Sequence, residues 1–189
     1  GQFFQHLRKQ NSRGPVFNIG LIVKRDKDSM SDTHAMRERL ETAGELAPAG
    51  YAVAFHIRYS APTFLLQTYP KNWIAYYSLH ALVMADPTVA WGFANEGTCR
   101  WSDLTDDPSR VMERAAEHGL KYGVVCAIDS EDSRSFGSFA RSDREFTDAE
   151  IAALADGVAY MHSATRKMDT LPAESLEMLG NMSVNYSKG

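Results

Sequence analysis

Between Tyr51 and Tyr59 every odd position is large and apolar, while His56 and Arg58 fall between them. Side chains of a strand alternate between its two faces, so this run is a strand with one apolar face that a second layer must cover. Phe64–Thr68 forms another short strand after Pro62, and Tyr122–Ile128 and Phe136–Ala140 form two more around the polar turn Asp129–Arg134. The chain is thus committed to a sheet, and its intervening segments must supply the cover.

Those segments carry helix signals. Met36, Leu40, Ala43 and Ala47 recur at helical spacing after Ser31-Asp32 and stop at Pro48 and Gly50, which predicts a first helix over 31–46. Residues 1–30 are partly basic around one apolar patch and read as a loosely packed N-terminal extension. Pro70 opens a second helix that runs to about Met84, since no breaker intervenes before Asp86-Pro87. Residues 88–94 are apolar and fit either a strand or a helix. Asp107-Pro108 reads as the N-cap and first residue of a helix ending at Gly119. The last long helix, 147–167, has a capping box in Thr147 and Glu150, a staple in Phe146 and Ile151, and a stripe of Ile151, Leu154, Val158 and Met161. Four strands interleaved with helices predict an α+β fold, an antiparallel sheet with helices on its faces.

Bulk properties exclude several functions. At 189 residues the chain suits one domain of roughly 100–200 residues. A net charge of −4 offers no basic field for a nucleic-acid backbone, and no apolar run approaches the ~20 residues that span a bilayer. Two cysteines, Cys99 and Cys126, in no metal-like spacing imply a reducing compartment, with the cytoplasm expected. Gly1 in place of an initiator Met reads as a processing scar, with the native start expected upstream. The six histidines never pair at HxxxH spacing, and no nucleophile elbow, Walker loop or GxGxxG appears. No enzyme, metal or cofactor is expected.

The remaining chemistry lies in 69–104. Trp73 and Tyr77 are i and i+4 on one helix face, so an indole N–H and a phenol O–H point into one space, and Asp86 just beyond contributes acceptors only. Two donors, one acceptor and broad rings suit a mostly apolar small molecule that carries an amide. An aromatic i, i+4 pair is also ordinary core, and Asp-Pro also simply punctuates helices.

The spacing of Trp73, Tyr77, Asp86-Pro87 and Trp101, with Tyr69-Pro70 before it and Gly119–Gly123 and Ser138-Phe139-Ala140 after it, resembles the autoinducer-binding domain of LuxR-type quorum-sensing regulators over residues 31–168. The resemblance implies an α/β/α sandwich with a central five-stranded antiparallel sheet, one strand more than the patterns reveal. It implies an N-acyl homoserine lactone as ligand. Trp73 would donate to the lactone carbonyl, Tyr77 to the acyl carbonyl, and Asp86 would accept the amide N–H. Trp101 would wall the lactone ring, Ser138 would reach the amide region, and Tyr69 would line the start of the acyl channel. Gly123 would be a packing position. The family usually has proline where this chain has Ala127, so a local backbone change is expected there. Residues 169–189 would be a linker and the opening of a DNA-binding helix-turn-helix domain, with Leu171, Glu177 and Leu179 resembling its start. A homodimeric transcription regulator that reaches DNA through that domain is implied, with no membrane contact. The alternative is an antiactivator that lacks a working DNA-binding half and forms inactive heterodimers through the 147–167 helix.

Overall fold

The computed structural model describes residues 19–59, 62–130, 132–166 and 171–182, with side chains over 32–181 of these. The chain forms helix α1 (Ile19–Leu46), strands β1 (Gly50–Ile57) and β2 (Phe64–Gln67), helices α2 (Lys71–Leu79) and α3 (Pro87–Ala94) and strand β3 (Gly97–Arg100). Helix α4 (Val111–Glu117), strands β4 (Tyr122–Ser130) and β5 (Ser133–Arg141), helix α5 (Asp148–Ala164) and helix α6 (Ala173–Met182) follow. The five strands lie in the order β2-β1-β5-β4-β3, every pair antiparallel. With helices on both faces, this is the expected α/β/α sandwich.

One face of the sheet is filled by large side chains. Tyr51, Val53 and Phe55 of β1, Leu66 of β2 and Phe139 of β5 pack against Met36, Leu40 and Ala43 of α1 and Ile151, Leu154, Val158 and Met161 of α5. Both predicted stripes are buried along their length. The Thr147–Glu150 capping box forms as expected, at 2.8 and 3.2 Å, and Phe146 is buried beside Ile151. Tyr59, by contrast, is fully exposed beyond the end of β1.

Several boundaries differ from the sequence reading, each for a local reason. Helix α1 begins at Ile19 and not near Ser31, so residues 19–30 continue the helix where a loose extension is expected; residues 1–18 lie outside the described part. Helix α2 ends at Leu79, because Ala81 turns left-handed (φ 49°) and only a short 3-10 turn, Leu82–Met84, follows. The ambiguous 88–94 segment is helical, capped by Asp86. Asp107 caps α4 from one turn further back than expected: its carboxylate accepts from the backbone N–H groups of Val111 and Met112 at 2.9 and 2.8 Å. Gly119 (φ 87°) ends α4 in a Schellman turn, with Gly119 N–H on the Ala116 carbonyl and Leu120 N–H on that of Ala115. The fifth strand is β3, an edge strand. Ala127 sits in an unbroken ladder between Gly97 of β3 and Phe136 of β5. Among the described residues no helix is long and apolar enough to cross a membrane.

Helix α6, within the segment read as the opening of a second domain, lies back against this one. Leu179 is buried in the core, Ser175 hydrogen-bonds Thr33 of α1, and Glu174 meets Arg37 at 3.5 Å.

A buried polar knot closes the far end of β1. The register slips between Ala54 and Ile57, His56 takes φ 52°, and its ring bonds Ser133 at 2.7 Å and Thr165 at 2.9 Å. His162 stands 4.7 Å away and bonds Ser135 at 2.7 Å. Burial pushes His56 down to about 4, helped by repulsion from His162 and Arg58. Its folded-state value lies below the ordinary 6.5, so the unfolded chain binds the extra proton and the stabilisation from neutral His56, present in full above pH 6.5, is lost as pH falls toward 4. Glu150, held down to about 2 by Arg144 and the Thr147 N–H, acts in the same sense over the lower window from 4.5 to 2. Urea unfolding is expected to show stability falling between pH about 7 and about 4.5, and a His56→Gln variant should flatten that slope. An unchanged slope in the variant contradicts the assignment to His56.

Candidate ligand-binding site

The other face of the sheet carries small side chains. Ala52 pairs across the ladder with Gln67 and Ser138, and Ala54 with Leu65 and Phe136, so two methyl groups floor the middle of the face. Helices α2, α3 and α4 stand over them. The space between is a cavity of about 500 Å³, within the range of small-molecule sites. All six residues singled out in the sequence, Tyr69, Trp73, Tyr77, Asp86, Trp101 and Ser138, line it.

Asp86 organises one end. As N-cap of α3, its Oδ1 accepts from the Thr88 N–H at 2.8 Å and the Thr88 hydroxyl at 2.7 Å. Its Oδ2 accepts from the Tyr77 hydroxyl of α2 at 2.7 Å. One buried carboxylate thereby joins the two helices that wall the cavity, with Oδ1 fully used and one lone pair left on Oδ2. Thr88 is a site residue that the sequence reading missed; its signal is its place two residues after an Asp N-cap. Arg134 of β5 secures the other end of α3 by donating to the Gly92 and Asn95 carbonyls at 3.0 and 2.6 Å. Gly92 lets α3 lie on the sheet, since a Cβ there would stand 2.3 Å from the Phe136 ring.

Trp73 is buried with its ring edge-on to Tyr77, centroids 5.5 Å apart, and is backed by Tyr76 and His118. No described residue accepts a hydrogen bond from its indole N–H. Trp101 differs: its N–H donates to the Ser138 hydroxyl at 2.7 Å, which leaves the Ser138 proton to be given elsewhere. The Trp101 ring lies flat over Gly123, where a Cβ would come within 2.1 Å of it, so Gly123 is the packing position the resemblance implies. Tyr69 donates to the Ser138 carbonyl at 2.9 Å, and burial pushes its hydroxyl far above the usual tyrosine range. It faces the cavity as a neutral ring.

The cavity is therefore polarised. Tyr77, Asp86, Thr88, Trp73 and Ser138 gather donors and acceptors at one end. Ile57, Leu65, Val89, Phe93 and Phe136 make most of the remainder apolar, with Gln67 and Ser78 its polar members, and none of these is visible in the sequence, because each fits an ordinary core or surface. Cys126 points into the opposite core, where burial pushes its thiol up to about 12. Among the described residues no group of three metal-ligating side chains comes together.

Known proteins share this fold. Escherichia coli SdiA has a TM-score of 0.57 at 21% identity, over 99% of this chain and 73% of that one. SdiA in complex with octanoyl-rac-glycerol gives 0.55 at 21% identity over 100% and 73%. CepR2 from Burkholderia cenocepacia, described as an N-acylhomoserine lactone-dependent LuxR family transcription factor, gives 0.52 at 16% identity over 74% of this chain and 94% of that one. At such identities the likeness is one of fold. No curated protein matches the chain. A model of the autoinducer binding domain does match, over residues 49–168, a segment that holds all five strands and all six cavity residues named above. The chain belongs to the autoinducer-binding domain family.

Proposed function

We propose that this domain encloses an N-acyl homoserine lactone in the polarised cavity, and that binding is coupled to folding, dimerisation and DNA binding through a C-terminal helix-turn-helix domain. The observation that carries the reading is the gathering of Trp73, Tyr77, Asp86 and Ser138 at one end of a cavity lined elsewhere mostly by apolar side chains. A lactone ring on an amide needs such an end, and an acyl chain needs the rest.

Each residue then has a role that its hydrogen bonds within the protein support. The Trp73 indole donates to the lactone carbonyl, and Trp101 lies against the ring. Asp86 accepts the amide N–H while Thr88 holds the carboxylate in place. Tyr77 turns its proton from Asp86 to the acyl carbonyl, so one bond within the protein is exchanged for two to the ligand. Ser138, whose oxygen already accepts from Trp101, donates to the same amide region. Tyr69 borders the start of the acyl channel. CepR2 is described as dependent on N-acylhomoserine lactone and SdiA has been captured with octanoyl-rac-glycerol, both ligands with an acyl chain on a polar head. Tight burial of the ligand makes it part of the core, the physical basis for coupling binding to folding. Helix α5 is the proposed dimer contact. The chain is read as a cytoplasmic regulator with no metal or cofactor.

Thermal melting with a series of acyl homoserine lactones and with octanoylglycerol tests the ligand. Lactone at 100 times its Kd should stabilise the fold by about 2.7 kcal/mol, and each further methylene that the cavity accepts should add about 0.8 kcal/mol to binding. No shift with any lactone, or a larger shift with octanoylglycerol, contradicts the headgroup. Trp73→Phe retains the ring without the donor and should weaken lactone binding about two- to twelvefold. Asp86→Asn should weaken it about 5- to 150-fold, because the carboxamide turns a donor toward the ligand N–H. Asn can keep the helix cap through Oδ1 but loses the Oδ2 acceptor of the Tyr77 hydroxyl, so the ligand-free fold should be destabilised by about 1–3 kcal/mol, and affinity is compared at a temperature where both proteins are folded. Wild-type affinity in both variants would remove these roles.

A further inference from the structure

We propose that Gln67 is a specificity residue that reads an oxygen substituent on the acyl chain next to the amide, so that the domain prefers 3-oxo or 3-hydroxy lactones to unsubstituted ones. The inference rests on the lactone reading above and deepens it.

Gln67 ends β2, and its direction follows from the alternation of the strand. Leu66 is fully buried among the α1 and α5 side chains, so Leu65 and Gln67 face the other way and line the cavity. Gln67 is half-buried there. Tyr69, Tyr77, Asp86, Thr88, Trp101 and Ser138 are all joined to partners within the protein. The Gln67 carboxamide is not: no described residue donates to it or accepts from it. On the sheet wall it stands as an unmatched donor and acceptor beside Leu65 of the same strand.

The ladder locates it relative to the ligand. Gln67, Ala52 and Ser138 stand in one row across β2, β1 and β5. The outer two are separated by roughly 10 Å, two strand spacings, with only the Ala52 methyl between them. An amide held beside Ser138 therefore sends the first carbons of its acyl chain over Ala52, alongside Gln67. The next row, Leu65, Ala54 and Phe136, is wholly apolar, so an oxygen further along the chain meets no partner. The Gln67 side chain offers N–H groups to a keto oxygen and either function to a hydroxyl.

The test is calorimetric titration of the full chain with octanoyl-, 3-oxooctanoyl-, 3-hydroxyoctanoyl- and 7-oxooctanoyl-homoserine lactone. The wild type should bind both 3-substituted lactones roughly two- to twelvefold tighter than the octanoyl compound, the value of one net hydrogen bond, with no gain for the 7-oxo compound. Gln67→Met should abolish the gain and leave octanoyl affinity equal or improved. Gln67→Glu, which preserves size but offers acceptors only, should reverse the preference for the 3-oxo compound and retain that for 3-hydroxy. Equal wild-type affinity for octanoyl and 3-substituted lactones, or a 3-oxo gain that survives either substitution, overturns the role of Gln67 and leaves the lactone reading standing. Failure of every lactone to bind overturns both.

Discussion

Asp86 is bound on both of its oxygens, and much of the site depends on that. Through Oδ1 it starts α3, and through Oδ2 it receives the Tyr77 hydroxyl of α2. A carboxylate is the side chain suited to this, because it accepts at two oxygens and donates at neither. With α2 and α3 joined at this point, the Trp73 donor, the Tyr77 hydroxyl and the acidic acceptor converge on one end of the cavity. The left-handed turn at Ala81 and the 3-10 turn after it bring the chain from the end of α2 back to Asp86.

The cavity owes its volume to the division of side chains between the two faces of the sheet. Tyr51, Val53, Phe55, Leu66 and Phe139 go to one face, where α1 and α5 cover them. Ala52, Ala54 and Ser138 go to the other, and their small size holds the helices of that side away from the backbone. A period of two thus gives one face to the core and the other to the cavity. Helix α6 joins the stabilising face through Leu179, while the strand it lies against, β2, presents Leu65 and Gln67 to the cavity.

How much of this the sequence discloses depends on whether a signal is local. The α5 capping box, the Gly119 stop and the two apolar stripes are complete within a few residues, and each appears where expected. Strand β3 leaves no signal in the sequence, because Gly97-Thr98-Cys99-Arg100 has no alternation of its own and exists by pairing with β4. The first turns of helix α1 are hidden in the sequence because the charged run from Lys24 to Asp28 interrupts any apolar stripe. Asp86 reads from the sequence as an acceptor for a ligand or, with Pro87, as punctuation between elements; that it also caps one helix and ties it to another is visible only once Tyr77 stands beside it. The six residues brought to the cavity were legible through family spacing. Gln67 was not, since a lone glutamine on a short strand reads as surface until its neighbours are known.

The account stands on the direction in which a ligand lies, headgroup at Asp86 and chain toward Phe93 and Ile57. A crystal structure of the chain grown with octanoyl-homoserine lactone tests that most directly. The account predicts the lactone ring between Trp73 and Trp101, its amide N–H on Asp86, and the acyl chain running over Ala52 and Ala54. A lactone bound with its ring at the Phe93 end, or bound outside this cavity, would contradict it.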